Sequence, residues 1–177
     1  MKKVIALSAI FLLFFPLVSL VENDAVTEEK ESELTWYTDL DEVHKISKET
    51  GKPIFGFFTG SDWCGWCMKL QHDVFKKEAF IKWANEKVIL LELDFPKRTE
   101  QSPELKKQNQ GLQQAFKVTG YPTVWLFNTD KDPETAQFHL TALGKLGYPR
   151  GAEKGKEEVK FINDANSFLD AQTKEGK

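Results

Sequence analysis

Cysteine is scarce in this chain. There are two in 177 residues, Cys64 and Cys67. A small scaffold stapled by several bridges is therefore not available. Histidine is nearly as rare: His44, His72 and His139 lie at no finger spacing from the cysteines, so the usual four-ligand zinc set is short of partners. Met68 rather than histidine follows Cys67, which removes covalent haem attachment. An excess of charge is missing too. The chain carries 24 Lys and Arg against 27 Asp and Glu, a net charge of −3, with the signs mixed along its length. Without a basic patch there is no case for nucleic acid as a partner. No repeat and no low-complexity tract is present. No cysteine closes the apolar N-terminal run, which argues against bacterial lipid attachment, and the C-terminal Lys174-Glu175-Gly176-Lys177 is not a retention signal.

What is present is apolar bulk. Hydrophobic residues make up 41% of the chain and 14 residues are phenylalanine, enough for one domain with its own core. Met1-Lys2-Lys3 is followed by an uncharged stretch, Val4 to Val21, and then by Glu22-Asn23-Asp24. A basic start before an apolar run is the pattern of a secretory signal. Residues 1–21 are read as a signal peptide, or as an N-terminal anchor if uncleaved; 22–33 as an acidic linker; and 34–175 as the folded domain. The expected location is periplasmic or otherwise exported.

Within the domain the pattern alternates. Leu34 to Tyr37 suits a short edge strand. Thr38 or Asp39 can cap a helix carrying Leu40, Val43 and Ile46, stopped by Gly51 and Pro53. Ile54 to Thr59 is a continuous apolar run, as expected of a strand buried on both faces. Cys64, Cys67, Leu70 and Val74 follow at helical spacing. A second helical piece spans Glu78 to Lys87 with Phe80, Ile81 and Ala84 inward. Val88 to Phe95 reads as a strand, Pro103 opens a helix reaching about Phe116, and Val124 to Asn128 is the next strand. A turn at Asp130 to Pro133, a strand over Ala136 to Leu143 and a closing helix over Glu157 to Thr173 complete the chain. Val159, Ile162, Ala165, Phe168 and Leu169 are expected inward on that helix. The order β-α-β-α-β-α-β-β-α predicts an α/β domain with a central mixed sheet flanked by helices.

Three readings of the cysteine pair compete: metal clamp, structural staple and redox centre. A bridge between residues three apart constrains little unfolded-chain entropy, so a staple has small value. Cys64 falls where a buried strand hands over to a helix. Free N–H groups and the positive dipole end there favour a thiolate. A low-pKa Cys64 can attack a target disulfide, and Cys67, one turn on, can attack Cys64 and release the target. Exchange uses every feature of the pair and needs no bound cofactor.

Trp63-Cys64-Gly65-Trp66-Cys67 followed by Met68-Lys69 resembles the active site of the thioredoxin superfamily, usually W-C-G-P-C-K. Gly51-Lys52-Pro53-Ile54 resembles that family's entry to its central strand, and Tyr121-Pro122-Thr123 its cis-proline turn. Gly60-Ser61-Asp62 is similar to the lead-in of exported bacterial members. The resemblance implies a thioredoxin-like fold over roughly Leu34 to Thr173 and an extracytoplasmic thiol–disulfide oxidoreductase acting on protein disulfides. It further implies that Tyr121 and Pro122 bind the substrate backbone, flanked by Trp63 and Trp66, and that Gly147-Tyr148-Pro149 completes the groove.

Two departures from the family pattern stand out. The positions of its buried aspartate and lysine fall on Phe57 and near Leu90. Glu92, two residues on and on the same strand face, is the candidate substitute proton acceptor; a solvated strand-end glutamate is the plain alternative. Trp66 replaces proline and adds aromatic surface suited to an extended peptide. Gly65-Trp66 carries no charge to stabilise a thiolate strongly, which points to a reductase recharged by a membrane thiol relay. Oxidase or isomerase activity, or a cysteine-based metal chaperone, are the alternatives. Asp62 is expected to cap the active-site helix, and Trp36, Trp83 and Trp125 to belong to the core.

Overall fold

The computed structural model describes residues 33–175. The expected signal segment, 1–21, and all of the expected linker before Glu33 lie outside the described residues. The elements run β1 (Trp36–Tyr37), α1 (Leu40–Thr50), β2 (Ile54–Thr59), α2 (Gly65–Leu70), a π-helical turn (Gln71–Phe75), α3 (Glu78–Lys87), β3 (Ile89–Asp94), α4 (Pro103–Ala115), β4 (Thr123–Lys131), β5 (Phe138–Leu146) and α5 (Glu157–Glu175).

The sheet has the order β1-β3-β2-β4-β5. β1 and β2 run parallel to β3, whereas β4 is antiparallel to both β2 and β5. All six residues of β2 are buried because it is the central strand, covered on both faces. Its side chains alternate between two cores. Phe55 and Phe57 join Leu90, Val124, Leu126, Phe75, Phe80, Trp83, Phe161 and both cysteines on one side. Ile54 and Phe58 join Leu91, Leu93, Phe127, Val43, Leu112 and Phe116 on the other. Helices α2, α3 and α5 therefore cover one face and α1 and α4 the opposite one, giving the expected α/β sandwich around a mixed sheet.

Local signals act as read in α1. The Asp39 side chain accepts from the Glu42 N–H, and Gly51 ends the helix with φ of 70°. The closing hairpin is longer than expected. β4 continues through the polar residues Asn128 to Lys131, and the turn moves to Asp132–Ala136, where the Asp132 carboxylate accepts from the N–H groups of Glu134 and Thr135. Contacts with α1 carry the extension: Lys48 to Asp130, Lys131 to Asp41, and His44 Nδ1 to Thr129 Oγ1. The edge strand is also shorter than expected, with Leu34 packed against the core but outside β1.

Two inward assignments change. Val159 is 45% exposed, because Phe161 takes the inward place on α5 and two helical residues are about 200° apart. Ile81 is half-buried, while Phe80, Trp83 and Ala84 form the packed face of α3. Trp36 and Trp125 pack against the two cores as well.

Candidate active site

The central strand ends at Thr59, and the chain turns through Gly60 before entering α2. The N–H groups of Trp63 and Cys64 donate to the Gly60 carbonyl at 3.2 and 2.8 Å. Only glycine fits there: a Cβ on Gly60 would lie 2.4 Å from the Trp63 indole. The turn delivers Cys64 as the residue capping α2. Cys64 and Cys67 form a disulfide with their Cα atoms 5.2 Å apart. The Cys67 N–H, which donates to the Cys64 carbonyl at 3.0 Å, also lies 3.2 Å from Cys64 Sγ, so one donor of the helix start reaches the first sulfur. Cys64 is 5% exposed and Cys67 fully buried. The first sulfur is thus the more accessible of the two, though only slightly.

Asp62 does not cap α2. Its carboxylate accepts from the backbone N–H groups of Lys97, Arg98 and Thr99, which hold its pKa below the usual carboxylate range, Lys97 contributing most. It ties the loop after β3 to the active-site turn. That loop places the Lys97 ammonium 4.0 Å from the Trp63 ring centroid, and Trp63 Nε1 donates to the Phe95 carbonyl at 2.8 Å.

Two tyrosines of the expected groove pack on the tryptophans that flank the cysteines. The Tyr121–Pro122 peptide bond is cis. Tyr121 meets Trp63 edge-on at 5.7 Å, and its hydroxyl accepts from Gln113 Nε2 at 2.6 Å. On the other side Trp66 meets Tyr148 edge-on at 5.2 Å. Trp63, Trp66 and Met68 are 36%, 53% and 52% exposed; with Val159 they are the exposed large apolar side chains among the described residues.

Glu92 is not brought onto the cysteines. It pairs with Phe57 across β2 and β3 and opens into a cleft of about 240 Å³ with Leu34, Trp36, Phe57, Gln71, Phe75 and Lys76. Cys67 does not line that cleft. Burial pushes the Glu92 carboxyl pKa up, and the charge of Asp94 pushes it in the same direction. Phe57, at the position of the family's aspartate, is 2% exposed.

Sequence reading missed one polar cluster. Asp73, in the π-helical turn, accepts from Tyr148 Oη at 2.6 Å, Lys69 Nζ at 2.5 Å and His72 Nδ1 at 2.9 Å. These bonds hold its carboxyl well below the usual range, His72 first and then Lys69 and Tyr148. The Lys69–Asp73 spacing of four was visible in the sequence. Tyr148 is 75 residues away and only the fold reveals it.

A family described as the thioredoxin-like domain matches residues 40–135, just over half of the chain. The chain belongs to that family. Its disulfide lies at the start of a helix leaving the central strand. A solved structure titled DsbH oxidoreductase superposes with a TM-score of 0.63 at 31% identity, covering 78% of this chain and 86% of its own. The disulfide bond reductase DsbH of Chlamydia pneumoniae is 43% identical over 81 residues, 46% of this chain and 49% of the relative. The thioredoxin-related protein DsbJ of the same organism is 28% identical over 152 residues, 86% of this chain and 42% of the relative. The chain thus spans about half the length, or less, of these curated relatives. A thioredoxin from Thermus thermophilus, at 14% identity and a TM-score of 0.51, shares the fold.

Proposed function

We propose that the chain is a protein-disulfide reductase working outside the cytoplasm. The observation that carries the reading is the Cys64–Cys67 pair set beneath an exposed rim of Trp63, Trp66 and Met68. Such a rim suits the side chains flanking a cysteine in an extended polypeptide. In the reduced form the Cys64 thiolate attacks one sulfur of a substrate disulfide, forming a mixed disulfide and releasing the first substrate thiolate. Cys67, deprotonated, attacks Cys64 Sγ, expels the second substrate thiolate and closes the bridge. Two electrons pass from the pair to the substrate, and an external dithiol must return them. Tyr121 and Pro122 hold the substrate backbone, with Trp63 and Trp66 on either side. Glu92, whose burial raises its proton affinity, is the acceptor of the Cys67 proton in this reading, although its cleft does not reach Cys67 and the transfer is therefore indirect.

The direction rests on the surroundings of the sulfurs. Phe57 and Leu90 are apolar and buried, and Gly65-Trp66 adds no charge, so the thiolate is stabilised chiefly by the helix start. Weak thiolate stabilisation gives a reducing pair. The reductase named among the relatives supports the same direction. The basic and then apolar run from Met1 to Val21 supports export, and in an oxidising compartment the electrons would come from a membrane thiol relay. Equilibration with thiol buffers tests the direction. The expected potential lies nearer thioredoxin's, about −270 mV, than that of DsbA, about −120 mV. A value above about −180 mV, typical of protein disulfide isomerase, reverses the direction to oxidase or isomerase. Failure to reduce insulin disulfides refutes the proposed activity on proteins.

A further inference from the structure

The disulfide lies between two walls of similar build. Each consists of a tryptophan beside a cysteine, a tyrosine meeting it edge-on, a lysine near an aromatic ring, and an aspartate behind them. On one side these are Trp63, Tyr121, Lys97 and Asp62. On the other they are Trp66, Tyr148, Lys69 and Asp73. The second wall is the less well supported of the two. Trp63 is held by a hydrogen bond to Phe95 and sits over Gly60, whereas Trp66 is 53% exposed and leans on Tyr148. Tyr148 belongs to the loop after β5 and is itself fixed by the Asp73 carboxylate at 2.6 Å, with Lys69 Nζ 5.2 Å from its ring. The chain of support therefore runs from Asp73 through Tyr148 to Trp66.

We propose that Asp73 is a positioning residue which, acting through Tyr148, fixes Trp66 as one wall of the groove and so sets the preference for extended polypeptide disulfides over small ones. This rests on the exchange reading above and adds a determinant of substrate class to it. A small aliphatic disulfide needs only access to Cys64 Sγ. A polypeptide must also lay the side chain next to its cysteine against an indole that is already in place, and an indole free to swing has to be ordered at the moment of binding. Asp73 makes a charge-assisted bond to a phenol, the stronger kind of hydrogen bond, and its own two other donors keep the carboxylate ionised and in position.

The test compares wild type with Asp73→Ala and with the conservative Asp73→Glu, using insulin as the polypeptide disulfide and bis(2-hydroxyethyl) disulfide as the small one. The position of Trp66 is read separately from its indole N–H signal in 1H–15N spectra, assigned with Trp66→Phe. Asp73→Ala is expected to raise KM for insulin about tenfold, to leave turnover of the small disulfide and the reduction potential unchanged, and to shift or broaden the Trp66 signal. Asp73→Glu is expected to recover part of the insulin KM. Tyr148→Phe, which keeps the ring and loses only the hydroxyl, is expected to reproduce the insulin defect and guards against misfolding of the alanine variant. Equal losses on both disulfides, or an unmoved Trp66 signal with unchanged KM, overturn the proposal. Wild-type protein that turns over neither disulfide overturns the exchange reading itself, and the preference with it, before any variant is compared.

Discussion

Replacing Phe57 by aspartate restores the acid that the family pattern places beside the second cysteine, and the structure says what this should cost. The Phe57 side chain is 2% exposed, with its ring 5.0 Å from Phe75 and 5.8 Å from Trp36. Truncating a buried phenylalanine costs about 3–5 kcal/mol through lost transfer energy and the void left behind. A neutral carboxyl without a partner in that site adds roughly 1–3 kcal/mol. The sum, about 4–8 kcal/mol, is comparable with the whole stability of an ordinary domain, about 5–15 kcal/mol. Glu92 stands opposite on β3, so a second carboxylate would meet like charge as well as burial. Both effects raise the folded-state pKa of the new group. The folded form then holds its proton above the unfolded value, and stability falls as pH rises through that window. Urea denaturation at pH 5 and pH 8, with wild type as baseline at each pH, measures this. Phe57→Asp should lose several kcal/mol and lose more at pH 8, whereas Phe57→Leu should lose only about 1–2 kcal/mol, and equally at both. A Phe57→Asp unfolding free energy within about 0.5 kcal/mol of wild type at both pH values, the range of an ordinary surface substitution, refutes the placement of Phe57 in the core.

Other outcomes follow from the same geometry. Cys64→Ser should abolish exchange, while Cys67→Ser should accumulate mixed disulfides with substrate; labelling of Cys67 before Cys64 by an alkylating agent at neutral pH reverses these roles. Glu92 has its pKa raised by burial, so wild-type stability should fall as pH rises from the ordinary glutamate value through the raised one. Glu92→Gln should remove that slope in denaturant titrations, and mixed-disulfide release that keeps its full pH dependence in the variant removes Glu92 from the mechanism. Gly60→Ala should force the Trp63 indole off its seat, breaking its bond to Phe95 and its contact with Lys97, with about tenfold lower kcat/KM for insulin; unchanged Trp63 chemical shifts contradict this.

Most of the fold was legible because its signals are local. β2 is an unbroken apolar run, Asp39 and Gly51 bound α1 by their own chemistry, and the cysteine spacing marks the start of a helix. What could not be read depends on distant partners. Asn128 to Lys131 are polar enough to suggest a turn, yet His44, Lys48 and Asp41 of α1 hold them in β4. Asp62 looked like a cap because its three donors lie 35 to 37 residues further on. Val159 and Phe161 lie on opposite sides of α5, each at helical spacing from other apolar residues, and only packing against Phe55 and Phe80 selects the side of Phe161. At the site the same division holds. Cys64, Cys67, Trp63 and Trp66 share one segment, whereas Tyr148 reaches that segment only through the hairpin that precedes it.

The bridge between Cys64 and Cys67 spans a sequence separation of three, and this bears on how the domain survives its own chemistry. Loop closure over so few residues removes under about 2 kcal/mol of unfolded-chain entropy, against about 4.7 kcal/mol for a hundred-residue loop. Reduction should therefore leave the melting transition close to that of the oxidised form. Folding and reduction form a thermodynamic cycle, so any difference in stability between the two forms equals the difference in electron affinity between the folded pair and the same pair in the unfolded chain. At about 30 mV for every 1.4 kcal/mol, two thermal denaturation curves, one recorded with dithiol and one without, report how far the folded environment has tuned the couple away from that of a free C-x-x-C peptide.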